Sequence, residues 1–276
     1  MMNETGEFMN HLRIGVVGCG HLGQAIVQSL LSHGFDKEKL LISSGSSPLT
    51  LKRLADQGLT SCLSENEKIF READLVFITL KPQDIMRIKE AASSGKAILV
   101  SCMAGVTISL LHQILGKSVY RMMLSGPDTI KSEKGVTAMY PENHQLKQIL
   151  QRMNLKYLNI RSEEELDVFT AGVCMPAAII KSADPKQQQM AIDKVKEEYP
   201  IFPELYSWAA KVLPSFANES DKESYVNRMI TKGGVTEAIV NSLSKGESLD
   251  AALKKGIKRT KEISAEIRQS VLRSCS

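Results

Sequence analysis

The sequence predicts an α/β fold in which a doubly wound parallel sheet comes first and an all-helical region follows. Short apolar, β-branched runs alternate with segments of helical periodicity up to about residue 160. Beyond that point the pattern is helical only. The chain of 276 residues is too long for one simple compact domain and suits two domains of ordinary size.

Each predicted element follows from a local pattern. Strands are predicted over residues 12–17, 40–42, 74–80, 97–101, 119–123 and 136–140. Helices are predicted between them over residues 24–31, 48–57, 83–93 and 108–115. Strands and helices in this alternation form a parallel sheet that is covered on both faces, and such sheets bind ligands at the carboxyl ends of their strands.

The second part of the chain is predicted to be helical over residues 163–181 (with an interruption near Pro176), 185–198, 201–216, 234–244 and 248–273. We therefore divide the chain into three parts. Residues 1–10 form a disordered lead. Residues 11–160 form the α/β domain, and residues 161–276 form a helical domain for substrate binding and dimerisation.

Composition excludes several classes of protein. The formal net charge of +4 is small and the basic residues are scattered, so no nucleic-acid partner is expected. Residues 1–10 lack the apolar core of a secretory signal, and no apolar run is long enough to span a membrane. The five cysteines show no CxxC pair, so we expect no disulfide framework and no metal site. Together these features predict a cytoplasmic protein.

A glycine-rich motif follows the first predicted strand. Gly18, Gly20 and Gly23 form G-x-G-x-x-G between that strand and a predicted helix. The first glycine permits a tight turn, the second lets the backbone approach a pyrophosphate, and the third allows helix and strand to pack closely. The free N–H groups of the helix then face the phosphates. The motif predicts a dinucleotide-binding Rossmann domain; the alternative is a glycine-rich turn that binds no ligand.

The end of the second strand indicates which cofactor binds. An acid at this point usually holds the ribose 2′-OH of NAD. Here the chain has Ser43 and Ser44 and no acid, and hydroxyl groups can donate to the extra phosphate of NADP. Lys52 or Arg53 can add positive charge. We therefore expect a preference for NADPH, with NADH as the alternative.

Six further segments resemble one enzyme family. They match, in order and in rough spacing over residues 12–270, segments of the pyrroline-5-carboxylate reductases that include K-P-Q, S-x-x-A-G-x-x-I, R-x-M-P-N, G-x-T-A and S-P-G-G-x-T. In this chain the segments are Leu80–Gln83, Ser101–Ile108, Arg121–Met123, Gly135–Ala138, Glu165–Thr170 and Thr231–Glu237. The chain is thus similar to a divergent member of that family.

The resemblance implies an activity and an assembly. The family reduces the C=N bond of 1-pyrroline-5-carboxylate to give L-proline, with NAD(P)H as reductant, and its helical domains interlock in a dimer. The resemblance therefore implies a homodimer or a higher homo-oligomer. Such a chain belongs to amino-acid biosynthesis and takes a small-molecule substrate. Two alternatives remain open: a reductase of a different imine or carbonyl substrate, and a regulatory protein that binds NADPH without catalysis.

The resemblance also implies roles for single residues. It places Gly18, Gly20, His21, Leu22 and Gly23 at the pyrophosphate, and Lys81, Pro82, Ala104 and Gly105 at the ribose and nicotinamide. It places Thr231, Gly233, Gly234 and Thr236 at the substrate carboxylate and ring nitrogen, from the partner subunit, with Thr236 and Thr231 as the catalytic pair. The Thr236 hydroxyl is of a type that can hydrogen-bond the imine nitrogen or relay its proton. The alternative for residues 231–234 is a plain helix cap.

Three segments depart from the family pattern. Leu124-Ser125-Gly126-Pro127 replaces the family's Pro-Asn-Thr-Pro, so the substrate-binding positions fall on Met123 and Ser125. Residues 172–177 replace the small-residue segment S-G-S-G-P-A with bulkier apolar side chains, among them Cys174. Residues 182–200 are strongly polar, which weakens the inference of a dimer. The cofactor half of the pattern is therefore better preserved than the substrate half.

Overall fold

The computed structural model describes residues 11–182 and 184–274. The predicted lead at residues 1–10 lies outside them. Within the described residues, seven strands form one sheet in the order β2-β1-β3-β4-β5-β6-β7. Their bounds are β1 Ile14–Val17, β2 Leu40–Ser43, β3 Leu75–Ile78, β4 Ile98–Ser101, β5 Val119–Leu124, β6 Val136–Tyr140 and β7 Lys156–Tyr157.

The predicted fold class is confirmed, with one difference in the sheet. β1 to β5 run parallel to one another, but β6 runs antiparallel to β5, with Arg121 opposite Tyr140. The prediction of an entirely parallel sheet is therefore wrong at β6. The chain between these two strands is short and holds only a five-residue helix. A parallel crossover needs a dozen or more residues, usually with a longer helix, so the strand returns antiparallel.

The described helices agree broadly with the predicted ones and add several. They are α1 His21–Ser32, α2 Pro48–Asp56, α3 Asn66–Glu72, α4 Lys89–Ser94, α5 Ile108–Leu115, α6 Pro127–Lys131, α7 His144–Arg152, α8 Glu163–Gly172, α9 Met175–Lys181, α10 Pro185–Val195, α11 Phe202–Val212, α12 Glu219–Met229, α13 Val235–Ser244 and α14 Leu249–Ser274. Residues 82–88 form a 3-10 helix ahead of α4. The predicted interruption near Pro176 is confirmed, since α8 ends before it and α9 begins beside it.

Helix α12 shows why some helices escape prediction. Its sequence is polar on nearly every side, and only Tyr225 and Val226 are buried. Asn218 caps it through its side chain, which accepts a hydrogen bond from the backbone N–H of Asp221 (3.0 Å). With so narrow an apolar stripe, the periodicity that marks an amphipathic helix is missing.

Two buried clusters cover the two faces of the sheet. One packs β1 and β2 residues such as Ile14 and Ile42 against α1 and α7. The other is continuous from the opposite face of the sheet into the helical region, from Val17 and Ile78 to Phe169 and Leu253. The Trp208 indole also joins the regions, because its Nε1–H donates to the Lys134 carbonyl (2.8 Å). The division at residue 160 stays a prediction.

Helix α14 is the longest described element, with 26 residues. It crosses α13 so closely at Gly256 that a Cβ there would lie 2.7 Å from Ile239 Cδ1. Its basic side chains lie on an exposed face and pair with acids, as Lys254 does with Glu198 and Lys255 with Glu247. Among the helices of the described residues, none is long and apolar enough to cross a membrane.

Candidate functional site

The glycine-rich turn connects β1 to α1 and is fixed to the end of β2. The Ser43 carbonyl accepts hydrogen bonds from the N–H groups of Gly18 (3.1 Å) and Cys19 (2.7 Å). Gly18 has φ +86°, a conformation that favours glycine. A Cβ at Gly23 would lie 2.8 Å from Thr79 Oγ1, so only glycine allows α1 to pack this closely on the sheet.

The second glycine of the turn, Gly20, faces open space, as it must if the turn is to hold a pyrophosphate. We call this open turn the cradle. A Cβ built at Gly20 meets nothing closer than the Gly18 carbonyl oxygen at 3.8 Å. Gly20 is also the N-cap of α1, and no side chain of the described residues caps this end of the helix. His21 is exposed and Leu22 is partly exposed in the first turn. The start of α1 therefore presents backbone N–H groups and the positive end of the helix dipole to a phosphate.

The predicted determinants of cofactor choice lie beside this turn. Ser43 Oγ donates to Asn66 Oδ1 (2.6 Å). Ser44 Oγ is buried and has no hydrogen-bond partner within the described part of the chain. Arg53 Nη1 lies 2.5 Å from His21 Nε2, which brings a guanidinium from α2 to the first residue of α1. Sequence reasoning missed this contact, because nothing local connects residues that are 32 positions apart.

The segments after β3 and β4 lie at the same edge of the sheet. Lys81 and Pro82 follow β3, and Ala104 and Gly105 follow β4. Lys81 is exposed, and Pro82 and Ala104 are partly exposed. Gly105 is buried and has φ +74°, and a Cβ there would lie 2.7 Å from the Thr260 carbonyl oxygen. Gly105 therefore packs against α14, and the exposed surface of this segment belongs to Ala104.

The start of α13 holds the residues that the family resemblance assigned to the substrate. Gly234 is its N-cap, and Thr231 is exposed in the turn before it. The Gly233 N–H donates to Glu237 Oε2 (2.7 Å), and the Gly234 N–H donates to the Thr231 carbonyl (2.8 Å). Both N–H groups predicted to hold a substrate carboxylate thus donate to groups of this chain.

Thr236 lies in the first turn of α13 and contacts a cysteine. Its Oγ1 donates to Cys174 Sγ (3.2 Å), and Cys174 Sγ donates to the Thr170 carbonyl (3.3 Å). Burial raises the pKa of the Cys174 thiol to about 11, so it stays protonated at neutral pH. The apolar volume at Cys174 could be predicted as a departure from the family pattern, but its contact with Thr236 could not.

One turn of α14 brings the two halves of the candidate site together. Arg259 Nε donates to the Gly233 carbonyl (2.8 Å), while the carbonyl of the next residue, Thr260, lies against Gly105. Further along, α14 and the 3-10 helix after Lys81 line a small cavity of about 70 Å³. The start of α13 and the segment after β4 therefore both contact α14 of the same chain. The predicted contribution of a partner subunit stays a prediction.

Met123 and Ser125 are placed differently from the other predicted site residues. Ser125 is fully buried, and its Oγ accepts hydrogen bonds from Thr129 Oγ1 (2.7 Å) and from the Val136 N–H (3.0 Å). Met123 is 7 % exposed and packs in the core. The Met123 carbonyl accepts a hydrogen bond from Thr137 Oγ1 (3.0 Å). The predicted role of both residues at the substrate stays a prediction.

A buried arginine joins the sheet to the helical region. Arg121 is 1 % exposed, and its Nη1 donates to Glu163 Oε1 (2.8 Å). Its Nη2 lies 3.5 Å from Asp167 Oδ1, and burial raises the pKa of that carboxyl. Glu163 also accepts from the Ile108 N–H (2.7 Å), so the cluster ties β5, α5 and α8 together. Sequence reasoning gave Arg121 only as part of a motif.

Comparisons with known proteins agree with this geometry. Residues 13–105, which include the glycine-rich turn, match the model of a family described as NADP oxidoreductase coenzyme F420-dependent. The pyrroline-5-carboxylate reductase of Escherichia coli (strain K12) is 27 % identical over 134 residues, which are 47 % of this chain and 49 % of that protein. The match therefore spans about half the length of that relative. Pyrroline-5-carboxylate reductase 2 of Bacillus subtilis (strain 168) is 23 % identical over 93 % of this chain and 95 % of its own.

Solved structures share the fold. A pyrroline-5-carboxylate reductase from Coxiella burnetii superimposes with a TM-score of 0.57 at 20 % identity, over 92 % of this chain and 99 % of that one. The Plasmodium falciparum pyrroline carboxylate reductase, solved with NADP bound, gives 0.56 at 18 % identity, over 93 % and 99 %.

The fold and the glycine-rich turn define a pyridine-nucleotide-binding protein of the Rossmann class. The sequence similarity along the chain indicates particular relatives within this class. At low identity, the chain is similar over most of its length to a pyrroline-5-carboxylate reductase.

The cradle at Gly20 can be tested by adding one methyl group. Gly20 has φ −78° and open space at its Cβ, so we expect Gly20→Ala to change the free energy of unfolding by less than about 0.5 kcal/mol. The methyl group lies where the backbone approaches the pyrophosphate, so the affinity for NADPH should fall about tenfold or more. Fluorescence titration and thermal unfolding measure the two effects.

Gly126→Ala is the matched control for this change, because a Cβ at Gly126 also meets nothing within 4 Å and lies on the β5–β6 connection. It should leave the affinity for NADPH unchanged. Equal affinity in Gly20→Ala and the native protein would mean that the turn does not bind the nucleotide.

Proposed function

We propose that this protein is an NAD(P)H-dependent reductase that acts on the C=N bond of a cyclic imine. One observation carries the proposal: a single turn of α14 contacts both Gly105, at the cofactor edge of the sheet, and Gly233, at the start of α13. We infer that a nicotinamide bound at this edge faces the start of α13, which carries Thr236, the side chain suited to hold a ring nitrogen. The name shared by the relatives makes 1-pyrroline-5-carboxylate, reduced to L-proline, the first candidate substrate.

The residues present fit a pyridine nucleotide. The open cradle at Gly20 suits the pyrophosphate, and the unpartnered Ser44 hydroxyl and the Arg53 guanidinium suit a 2′-phosphate. Lys81, Pro82 and Ala104 border the position of the ribose and nicotinamide. When bound, the cofactor supplies the hydride. The chain binds it, orients it and positions the imine.

The proposed reaction requires little acid–base catalysis from the side chains of this protein. A protonated imine is already electrophilic, so the reaction requires no strong acid. Among the described residues, the Thr236 hydroxyl hydrogen-bonds Cys174 Sγ and no carboxyl group. Thr236 contributes a hydrogen bond at the ring nitrogen. The apolar side chains of Val173, Cys174 and Met175 reduce the room available and help exclude water.

A second candidate is reduction of a different imine. Two residues favour this alternative. Cys174 fills space that the family leaves for its substrate, and Glu237 accepts the hydrogen bond of the Gly233 N–H, which the family pattern assigns to the substrate. A protein that binds NADPH without turnover would show nucleotide binding and no oxidation with any imine.

The Thr236 hydroxyl is tested by Thr236→Val, which keeps the shape of the side chain. We expect turnover to fall by about 10²-fold, because the hydrogen bond at the ring nitrogen is lost, while the affinity for NADPH hardly changes. NADPH absorbance with excess imine measures the rate. Thr231→Val, at an exposed position in the preceding turn, should lose much less. Unchanged turnover in Thr236→Val would remove this residue from the reaction.

The preference for NADPH is tested by Arg53→Ala. We expect the affinity for NADPH to fall about tenfold, because a charge-assisted hydrogen bond contributes roughly 1.5 kcal/mol or more. The affinity for NADH should stay the same, since NADH has no 2′-phosphate. Lys186→Ala, at an exposed position on α10, is the control and should affect neither nucleotide. An equal loss for both nucleotides would show that Arg53 does not read the 2′-phosphate.

A further inference from the structure

We propose that His21 binds the 2′-phosphate of NADPH together with Arg53, and that its imidazole takes up a proton from solvent when this phosphate binds. The inference rests on the proposed function and deepens it, because it adds a determinant of cofactor choice. It is carried by the contact between the first residue of α1 and the last turn of α2.

The first step concerns the direction of the hydrogen bond between these two side chains. Arg53 Nη1 lies 2.5 Å from His21 Nε2. A guanidinium has N–H donors and no acceptor, so Arg53 donates and Nε2 accepts. A ring nitrogen that accepts a hydrogen bond carries no proton. His21 is therefore a neutral imidazole in this contact, with its proton on Nδ1.

The second step concerns the place of this contact. His21 begins α1 at the cradle and its side chain is exposed, whereas Arg53 is partly buried. Amide hydrogen bonds also join the two helices and the turn. Gln57 Nε2 donates to Gln24 Oε1 (3.4 Å), and Gln24 Nε2 donates to the Cys19 carbonyl (3.2 Å). These bonds hold α2, and with it the guanidinium, beside the cradle.

The third step concerns charge. Among the described residues, no carboxylate forms a hydrogen bond or an ion pair with Arg53 or with His21. The other charged side chains on α2 and α6, the helices that flank α1, are exposed to solvent, which screens them: Lys52, Asp56, Asp128 and Lys131. A guanidinium without an acid partner favours a phosphate, whose oxygens match its N–H groups.

The fourth step concerns the effect of a phosphate on this contact. Phosphate oxygens are negatively charged acceptors, so they repel the lone pair of a neutral Nε2. Protonation turns Nε2 into a donor, and both side chains then donate charge-assisted hydrogen bonds to the phosphate. Histidine changes charge between about pH 5 and 8, so solvent can supply the proton near neutral pH. NADH has a hydroxyl in place of the phosphate, and this uncharged group leaves His21 neutral.

Two other roles for His21 predict different results. The family resemblance implies a place at the pyrophosphate, which NADH and NADPH share, so proton uptake would then be equal for both nucleotides. A purely structural role at the start of α1 gives no uptake with either nucleotide, and the loss of the side chain then changes the free energy of unfolding alone.

Isothermal titration calorimetry of the full-length protein tests the coupling without catalysis. Adenosine 2′,5′-bisphosphate and adenosine 5′-phosphate are each titrated in two buffers of equal pH and different ionisation enthalpy, and the difference in heat gives the protons taken up. At about pH 7.5 the phosphates have lost their second proton before binding, because a phosphate monoester has its second pKa at about 6. We expect an uptake of about half a proton or more with the bisphosphate and almost none with the monophosphate. NADPH and NADH should show the same difference.

The same coupling makes the affinity for NADPH depend on pH. The complex binds more protons than the free protein, so the affinity should rise about threefold to tenfold as the pH falls from about 8.5 to about 7.5. The affinity for NADH should stay constant over this range. Fluorescence titration measures both affinities.

Two variants of His21 and one control complete the design. His21→Gln supplies an amide that can donate but cannot titrate near neutral pH, so it should abolish the proton uptake and the pH dependence with NADPH. It should leave the affinity for NADH as in the native protein. His21→Asn serves if His21→Gln fails to fold. His144→Gln is the matched control, because His144 is also exposed as the first residue of a helix, α7, and it should leave the uptake unchanged.

The outcomes separate this inference from the proposed function. Absence of uptake with the bisphosphate, equal uptake with NADH and NADPH, or uptake that persists in His21→Gln would overturn the inference and leave the reductase standing. Uptake that is specific to the 2′-phosphate, in a protein that oxidises NADPH with no imine, would support the inference and refute the reductase.

Discussion

The candidate site depends on the contact between one turn of helix α14 and two glycines from distant parts of the chain. Arg259 holds the Gly233 carbonyl, and the backbone of Thr260 lies directly against Gly105. The second contact requires a residue without a Cβ in the left-handed region, which Gly105 provides with φ +74°. This contact gives the segment after β4 and the start of α13 a common support on α14.

The buried core reinforces the same arrangement. One face of the sheet and the helical region share a continuous apolar cluster, and the ion cluster of Arg121, Glu163 and Asp167 lies between them. Breaking a buried ion pair leaves an uncompensated charge, which costs about 3–5 kcal/mol. Packing and charge together therefore fix the position of the sheet relative to the helical region, as a site built from both regions requires.

The sequence predicts those parts of the site whose residues lie close together along the chain. The glycine-rich turn could be predicted because strand, turn and helix are adjacent in sequence and each glycine has a separate steric role. The antiparallel β6 was missed although the short β5–β6 connection contains the signal. The Glu237–Gly233 bond was also within reach, since four residues separate the partners.

Other contacts could not be predicted, because they join residues that only the fold brings together. Thr236 meets Cys174 across 62 positions, and His21 meets Arg53 across 32. The family resemblance correctly marked residues 172–177 as altered but could not show that the substituted cysteine would bind the threonine. It also placed Met123 and Ser125 at the substrate; the structure shows both residues buried, and their role there stays a prediction.

The most direct test of this account is a crystal structure of the protein with NADPH bound. The account predicts that the nicotinamide ring lies between the Ala104–Gly105 segment and Thr236, with the pyrophosphate on the start of α1. A nicotinamide ring that lies away from Thr236 would contradict it.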